Sequence, residues 1–197
     1  MIAVLASNNA HKLKEIRALL ADKFEHVCSL GEMGINTDID ETGTTFEENA
    51  FIKAQTIFDM LGGKYAVLAD DSGLCVEALG GAPGVYSARY AGSPCNDENN
   101  NSLLLRNLHE REKTEPKNRR AYFASVVAAV LPDGRKISGE GRVYGEVLDE
   151  YRGNGGFGYD PLFYCTEIGK TFAEATMEEK NTVSHRSRAL SALREKL

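Results

Sequence analysis

Two adjacent acids close an apolar run in Ala69-Asp70-Asp71-Ser72-Gly73, and paired carboxylates in such a setting can do acid–base work or hold a hard cation. The apolar stretch from Tyr65 to Ala69 predicts a buried strand. The acids then fall at its C-terminal edge, where α/β folds tend to bind ligands. A second acidic group, Asp38, Asp40 and Glu41, precedes Thr42-Gly43. Oxygen donors of this kind suit Mg2+, which takes few carboxylates and keeps waters and phosphate oxygens. Taken alone, Asp40 and Glu41 are explained equally well as a solvated loop that favours the start of the next helix.

Ser7-Asn8-Asn9-Ala10-His11-Lys12 joins a predicted strand to a predicted helix. The unpaired amides of a helix start, polar turn residues and a lysine suit a phosphate tail. On this segment alone, an asparagine-capped turn is the favoured reading. Asn49 and Lys53 are four apart and share a helix face. Near the end of the chain, Lys180 and Ser184-His185-Arg186 precede the last helix. Cations there oppose the helix dipole unless they face an anion or a polar ligand. In Gly155-Gly156-Phe157-Gly158-Tyr159-Asp160-Pro161, two aromatics among glycines offer ring faces to a flat ligand, and a carboxylate is at hand for base N–H groups. The competing reading folds those aromatics into the core.

Two apparent motifs fail on context. Gly153, Gly155 and Gly158 satisfy GxGxxG, but a strand follows where a dinucleotide fingerprint must open a helix. Gly169-Lys170-Thr171 resembles the end of a P-loop, yet Tyr164 stands where its first glycine must be.

The elements that position these groups read as follows. Residues 2–6 form a strand and 11–20 a helix. Residues 44–61 form a helix with a Thr44/Glu47 capping box and an apolar stripe of Phe46, Ala50, Ala54, Ile57 and Leu61. A helix is predicted at 99–111 and two strands at 121–131 and 135–148, joined at Pro132-Asp133-Gly134. A strand at 161–165 and a final helix from about Ser184 complete the chain. The pattern implies an α/β fold with a mixed sheet. At 197 residues the chain suits one domain, or one two-lobed domain. Its net charge of −6 gives no general attraction to nucleic acid or an anionic membrane, so a polyanionic ligand must be held by local groups and a cation. No signal segment or membrane-length run is read, and Cys28, Cys75, Cys95 and Cys165 lack CxxC spacing. Reduced thiols in a cytoplasmic protein are expected, and a zinc site is not.

Taken together, SNNAHK at 7–12, ETGTTFEENAFIKA at 41–54, LADDSGLCVEALGGAPGVYSARYAG at 68–92, GGFGYDPLF at 155–163 and EEKNTVSHR at 178–186 resemble the inosine triphosphate pyrophosphatase family. These are the Ham1-like noncanonical purine nucleoside triphosphate pyrophosphatases, and the similarity runs from residue 4 to about 190. The resemblance implies a long mixed sheet flanked by helices, in two lobes with the site in the cleft, and a homodimer. It implies hydrolysis of dITP, ITP or XTP to monophosphate and pyrophosphate with Mg2+. Ser7, Asn8, Asn9, Ala10, His11 and Lys12 would hold the triphosphate. Asp71 would be general base and metal ligand, with Lys53 in the catalytic group and Asp40 or Glu41 as the further metal ligand. Ser72 would touch substrate, Phe157, Gly158, Tyr159, Asp160 and Lys180 would hold base and sugar-phosphate, and His185 and Arg186 would read the purine 6-oxo group. The first loop departs from the family's frequent Thr-Gly-Asn. A nucleotide-binding module without turnover, and a Maf-like pyrophosphatase for other nucleotides, are the competing classes.

Overall fold

The computed structural model describes residues 1–197, apart from the side chain of His11. Seven strands form one sheet in the order β2-β1-β3-β4-β5-β6-β7: β1 Ile2–Leu5, β2 His26–Ser29, β3 Ala66–Val76, β4 Arg120–Val130, β5 Lys136–Val147, β6 Phe163–Cys165 and β7 Lys170–Thr171. β1 runs parallel to β2 and β3, whereas β6 is antiparallel to β5 and β7, so the sheet is mixed. The helices are α1 Ala10–Leu19, α2 Phe46–Met60, α3 Asp97–Glu112, α4 Met177–Val183 and α5 His185–Arg194.

The chain divides into two compact units. The first holds Met1–Asp71, Ser125–Gly141 and His185–Leu197, and the second Ser72–Ala124 and Arg142–Ser184. In the first unit, strand alternation sorts β3 between two helical layers. Ala66 and Leu68 pack with Ile16 and Leu20 of α1 and Leu190 and Leu193 of α5. Val67 and Ala69 pack with Ala54 and Ile57 of α2. Burying a leucine or isoleucine side chain stabilises by roughly 1.5–3 kcal/mol, so these stripes fix which way each β3 residue points. The second unit has its own core, in which Phe123, Phe163 and Phe172 meet at ring-centroid distances of 4.7 to 5.9 Å.

Several expectations need correction. The capping box of α2 uses Thr45 and Glu48, one residue later than read. Glu48 also accepts from the Thr44 amide and hydroxyl, so threonines at both positions serve the same carboxylate. β3 does not stop at Ala69 but continues through Asp70 and Asp71 to Val76. Asp, Ser and Gly are poor strand formers, yet this segment lies in the middle of the sheet order, and its carboxylates have cationic and amide partners. The acids still lie just beyond the parallel part, because the pairing of β1 with β3 ends at Leu68. Helix α4 and strand β2 escaped the reading, being only 7 and 4 residues long. Lys170 and Thr171, the false P-loop end, form β7.

Candidate functional site

The first unit places the two aspartates of β3 on opposite faces, as alternation requires. Asp70 turns with Ala66 and Leu68 toward α1 and α5. Its carboxylate meets the Lys12 ammonium at 2.9 Å and the Arg186 guanidinium at 3.2 Å, and Arg186 reaches Glu15 of α1 at 3.0 Å. All four belong to one nearly dry network: the Asp70 side chain is fully buried and that of Arg186 is 3% exposed. Burial alone raises the Asp70 pKa, but the charges of Lys12 and Arg186 outweigh it and hold the carboxyl well below the usual range.

Asp71 turns the other way, toward α2. Asn49 Nδ2 donates to it at 3.1 Å, and the Lys53 ammonium lies 3.4 Å away and 2.7 Å from Glu41. The i, i+4 spacing of Asn49 and Lys53 therefore delivers both to one carboxylate. Asn49 is held in turn, because its Oδ1 accepts from the Gly43 amide at 2.8 Å. Burial is the largest influence on Asp71 and raises its pKa. Lys53 and the Asn49 amide pull it down, while the negative charges of Glu41 and Asp70 push it up, and the net shift is upward. For Lys53, burial acts to lower the pKa, but Asp71 and Glu41 reverse this, so it stays charged. Adjacent aspartates thus have opposite characters: Asp70 is locked as an anion, and Asp71 is a more basic carboxylate suited to accepting a proton.

The open choice between the two loop acids meets a clear geometric difference. Glu41 is half-buried and shares Lys53 with Asp71, whereas Asp40 and Asp38 are exposed. Glu41 and Asp71 together form a pair of hard oxygen donors around a single ammonium. Such a donor set fits a small divalent cation that completes its coordination with water and phosphate oxygens.

The first loop is an asparagine-capped helix start. Asn9 Oδ1 accepts from the Lys12 amide at 3.1 Å, Ser7 Oγ from the Asn9 amide at 3.1 Å, and Asn8 Oδ1 from the Gly31 amide at 2.7 Å. Asn8, Asn9 and Ala10 are exposed. Among the described residues no non-glycine residue has positive φ, so the loop turns without a left-handed asparagine. The side chain of His11, read as a phosphate contact, lies outside the described residues.

Arg186 was expected to face a polar ligand from the helix start. The anions it meets are the protein's own, Asp70 and Glu15, which removes the conflict with the helix dipole. His185 is buried beside it. The start of α5 is pressed onto β5 at Gly141, where a Cβ would stand 2.2 Å from the His185 carbonyl oxygen; only glycine admits that approach.

The second unit organises the glycine-aromatic loop around Asp160. This buried carboxylate accepts from the Phe157 amide at 3.0 Å and from the Lys180 ammonium at 2.6 Å. Gly156 has φ +72°, and a Cβ there would lie 2.1 Å from Asp160 Oδ2. Asp97 and Asn101 of α3 hold Gly158, accepting its N–H and donating to its carbonyl respectively. Lys180 also lies over the Phe157 ring at 4.9 Å. Phe157 is 42% exposed. Tyr159 is not. Its ring belongs to the core, 4% exposed, and its hydroxyl donates to the Ser87 carbonyl at 2.8 Å, so the core reading holds for that aromatic. Ser72 follows Asp71 on β3 and is half-buried.

Sequence reasoning missed Glu15, Asp97 and Asn101 as site-forming groups, and it paired Asp70 with Asp71 without finding that Asp70 belongs with Lys12 and Arg186. Glu15 had one local signal: it stands three residues after Lys12, on the same face of α1. Its partner Arg186 is 171 residues away, and no spacing rule reaches that far.

The sequence profile of the Ham1 family matches residues 3–196. A Clostridium perfringens protein named dITP/XTP pyrophosphatase is 52% identical over 198 residues, covering 98% of this chain and 96% of its own length. A dITP/XTP pyrophosphatase of Leuconostoc mesenteroides is 47% identical, covering 100% and 96%. Among solved structures, the Staphylococcus aureus Ham1 protein superposes with a TM-score of 0.87 at 40% identity, covering 100% of this chain and 97% of that one. A nucleoside-triphosphatase, dITP/XTP pyrophosphatase, from Mycobacterium abscessus gives a TM-score of 0.78 at 41% identity, with 98% of each chain covered. With full-length similarity in both sequence and fold, the chain belongs to the Ham1 family.

Proposed function

We propose that this protein hydrolyses noncanonical purine nucleoside triphosphates (dITP, XTP and ITP) to the monophosphate and pyrophosphate, clearing them from the nucleotide pool. Full-length relatives that carry the dITP/XTP pyrophosphatase name support the reaction. The structural observation that carries it is the Asp71 cluster: a buried, more basic carboxylate oriented by Asn49 and flanked by Lys53 and Glu41.

In this reading Glu41, rather than Asp40, joins Asp71 in holding Mg2+. When bound, the ion supplies charge neutralisation on the phosphate oxygens and acidifies a coordinated water. Asp71 accepts the proton of the attacking water, and burial, which raises its pKa, makes it a better acceptor than an exposed carboxylate. Asn49 fixes the carboxylate that does so. Lys53 remains protonated and stabilises negative charge developing on the leaving pyrophosphate. Ser7, Asn8, Asn9, Ala10, His11 and Lys12 offer the start of α1 to the phosphate chain. Asp70 holds Lys12 in place there and keeps Arg186 extended with Glu15. Phe157 presents its ring to the base, Asp160 positions the Phe157 amide and Lys180, and Ser72, Gly158, His185 and Arg186 complete the substrate contacts. Tyr159 supports its loop from within the core. A buried arginine pairs with a 6-oxo acceptor and meets an adenine amino group donor to donor, which disfavours ATP.

No helix among the described residues is long and apolar enough to cross a membrane. We place the enzyme in the cytoplasm as a homodimer, a state that light scattering on the purified chain measures directly. The reaction is tested with a panel of triphosphates and Mg2+, identifying products. Monophosphate plus pyrophosphate from dITP and XTP, with little from ATP, is expected. Release of orthophosphate, or equal turnover of ATP, would overturn the reading.

A further inference from the structure

We propose that His26, Cys28 and Glu32 form a binding site for a borderline-soft divalent cation of the Zn2+ type, separate from the Asp71 cluster. Their imidazole nitrogen, thiol sulfur and carboxylate oxygen all lie within 4.8 Å of one another. The sequence hides this set because it lacks CxxC spacing, but a strand makes its own pairing. His26 and Cys28 are two apart on β2, and Val27 between them is buried in the core, so both flanking side chains face away from it. β2 is the last strand of the sheet order, which leaves this edge open to an incoming ion.

The third ligand comes from the turn that follows β2, and it is held in place. Glu32 Oε2 accepts from the Ser29 amide at 2.7 Å, and Arg17 spans both carboxylate oxygens at 2.8 and 3.0 Å. Arg17 is itself anchored by donating from Nε to the Val27 carbonyl at 2.9 Å. A carboxylate oriented by outer hydrogen bonds is the usual condition of a metal ligand. With bonds of roughly 2.0–2.3 Å, tetrahedral zinc needs ligand atoms about 3.4–3.8 Å apart. Separations of at most 4.8 Å therefore close by up to about 1.4 Å, through rotation of the exposed His26 side chain toward the fixed Glu32.

Donor chemistry selects the metal. Thiolate and imidazole favour Zn2+ or Co2+ over Mg2+, which prefers oxygen and demands a strict octahedron. A second cluster, His109, Glu112 and Asp149, fits less well. It has no sulfur, and its Asp149 is shared by two cations, Arg119 at 2.7 Å and Lys117 at 2.7 Å, where Glu32 meets one.

The test is a titration of the full, reduced chain, freed of metal by chelator, with Co2+ and then Zn2+. A thiolate-to-cobalt charge-transfer band is expected to saturate at one ion per chain and to be displaced by Zn2+. Cys28→Ser should abolish the band. His26→Ala should weaken Co2+ affinity by about tenfold or more, and Cys95→Ser, at the exposed cysteine, should change nothing. The proposal is overturned if wild type shows no band, if the band survives Cys28→Ser, or if His26→Ala binds Co2+ as tightly as wild type. The His26 arm decides the matter even where Cys28→Ser fails to fold, since the His26 side chain is exposed and outside the core.

Discussion

Replacing each of the adjacent aspartates with asparagine should separate fold from chemistry. Asp70→Asn removes the anion that holds both Lys12 and Arg186, and leaves Arg186 with Glu15. Breaking a buried ion network by deleting one partner costs about 3–5 kcal/mol. For a chain of this size that lowers Tm by roughly 6–20 °C. Asp71→Asn acts in the opposite sense. The fold raises the Asp71 pKa, so its ionised form is disfavoured there, and neutralising it should leave Tm unchanged or higher, with Lys53 still paired to Glu41. Loss of the proton acceptor should reduce kcat by roughly 10²–10⁴-fold. The pH dependence gives an independent check. The contribution of Asp70, whose pKa is depressed, is fully present above its ordinary 3.8 and is lost as pH falls through the lower folded value, so the Tm gap between wild type and Asp70→Asn narrows in acid. Asp71, with its pKa raised, does the reverse: wild type gains stability as pH falls from the raised value toward 3.8, and Asp71→Asn lacks that gain. Differential scanning calorimetry and a pyrophosphate-release assay measure both variants. Asp70→Asn melting within about 2 °C of wild type, or Asp71→Asn falling as far as Asp70→Asn, would refute the division of roles.

Asn49→Ala removes a hydrogen bond that lowers the Asp71 pKa, so the acidic limb of kcat/KM should move to higher pH; a pH–rate profile with an unmoved limb contradicts the orienting role. Gly156→Ala sets a Cβ against the Asp160 carboxylate at a backbone angle that L-residues rarely adopt. It should raise KM for the triphosphate far more than it lowers Tm, and steady-state kinetics showing an unchanged KM would count against this loop as a base contact.

Much of the fold was legible because it rests on local pattern. The stripe Ala50, Ala54 and Ile57 is fully buried, and the strands around Pro132-Asp133-Gly134 stand close to where they were read. Residue types announced the chemistry too. Two acids after an apolar strand and a lysine four residues beyond an asparagine do lie where charged groups gather, and the glycine-aromatic loop is organised around a buried carboxylate, Asp160. Tertiary structure decided which member of each pair does what. Strand alternation sends Asp70 and Asp71 to opposite helical layers, and only their neighbours there hold one as a fixed anion and leave the other with a raised pKa. Phe157 and Tyr159 look equivalent in sequence, but one is exposed and the other is core. Arg186 answers to Glu15, 171 residues away, and Glu41 is distinguished from Asp40 by the reach of Lys53. Periodicity and propensity act over a few residues, whereas a pKa or a ring's exposure depends on charges and packing that the chain brings together only by folding.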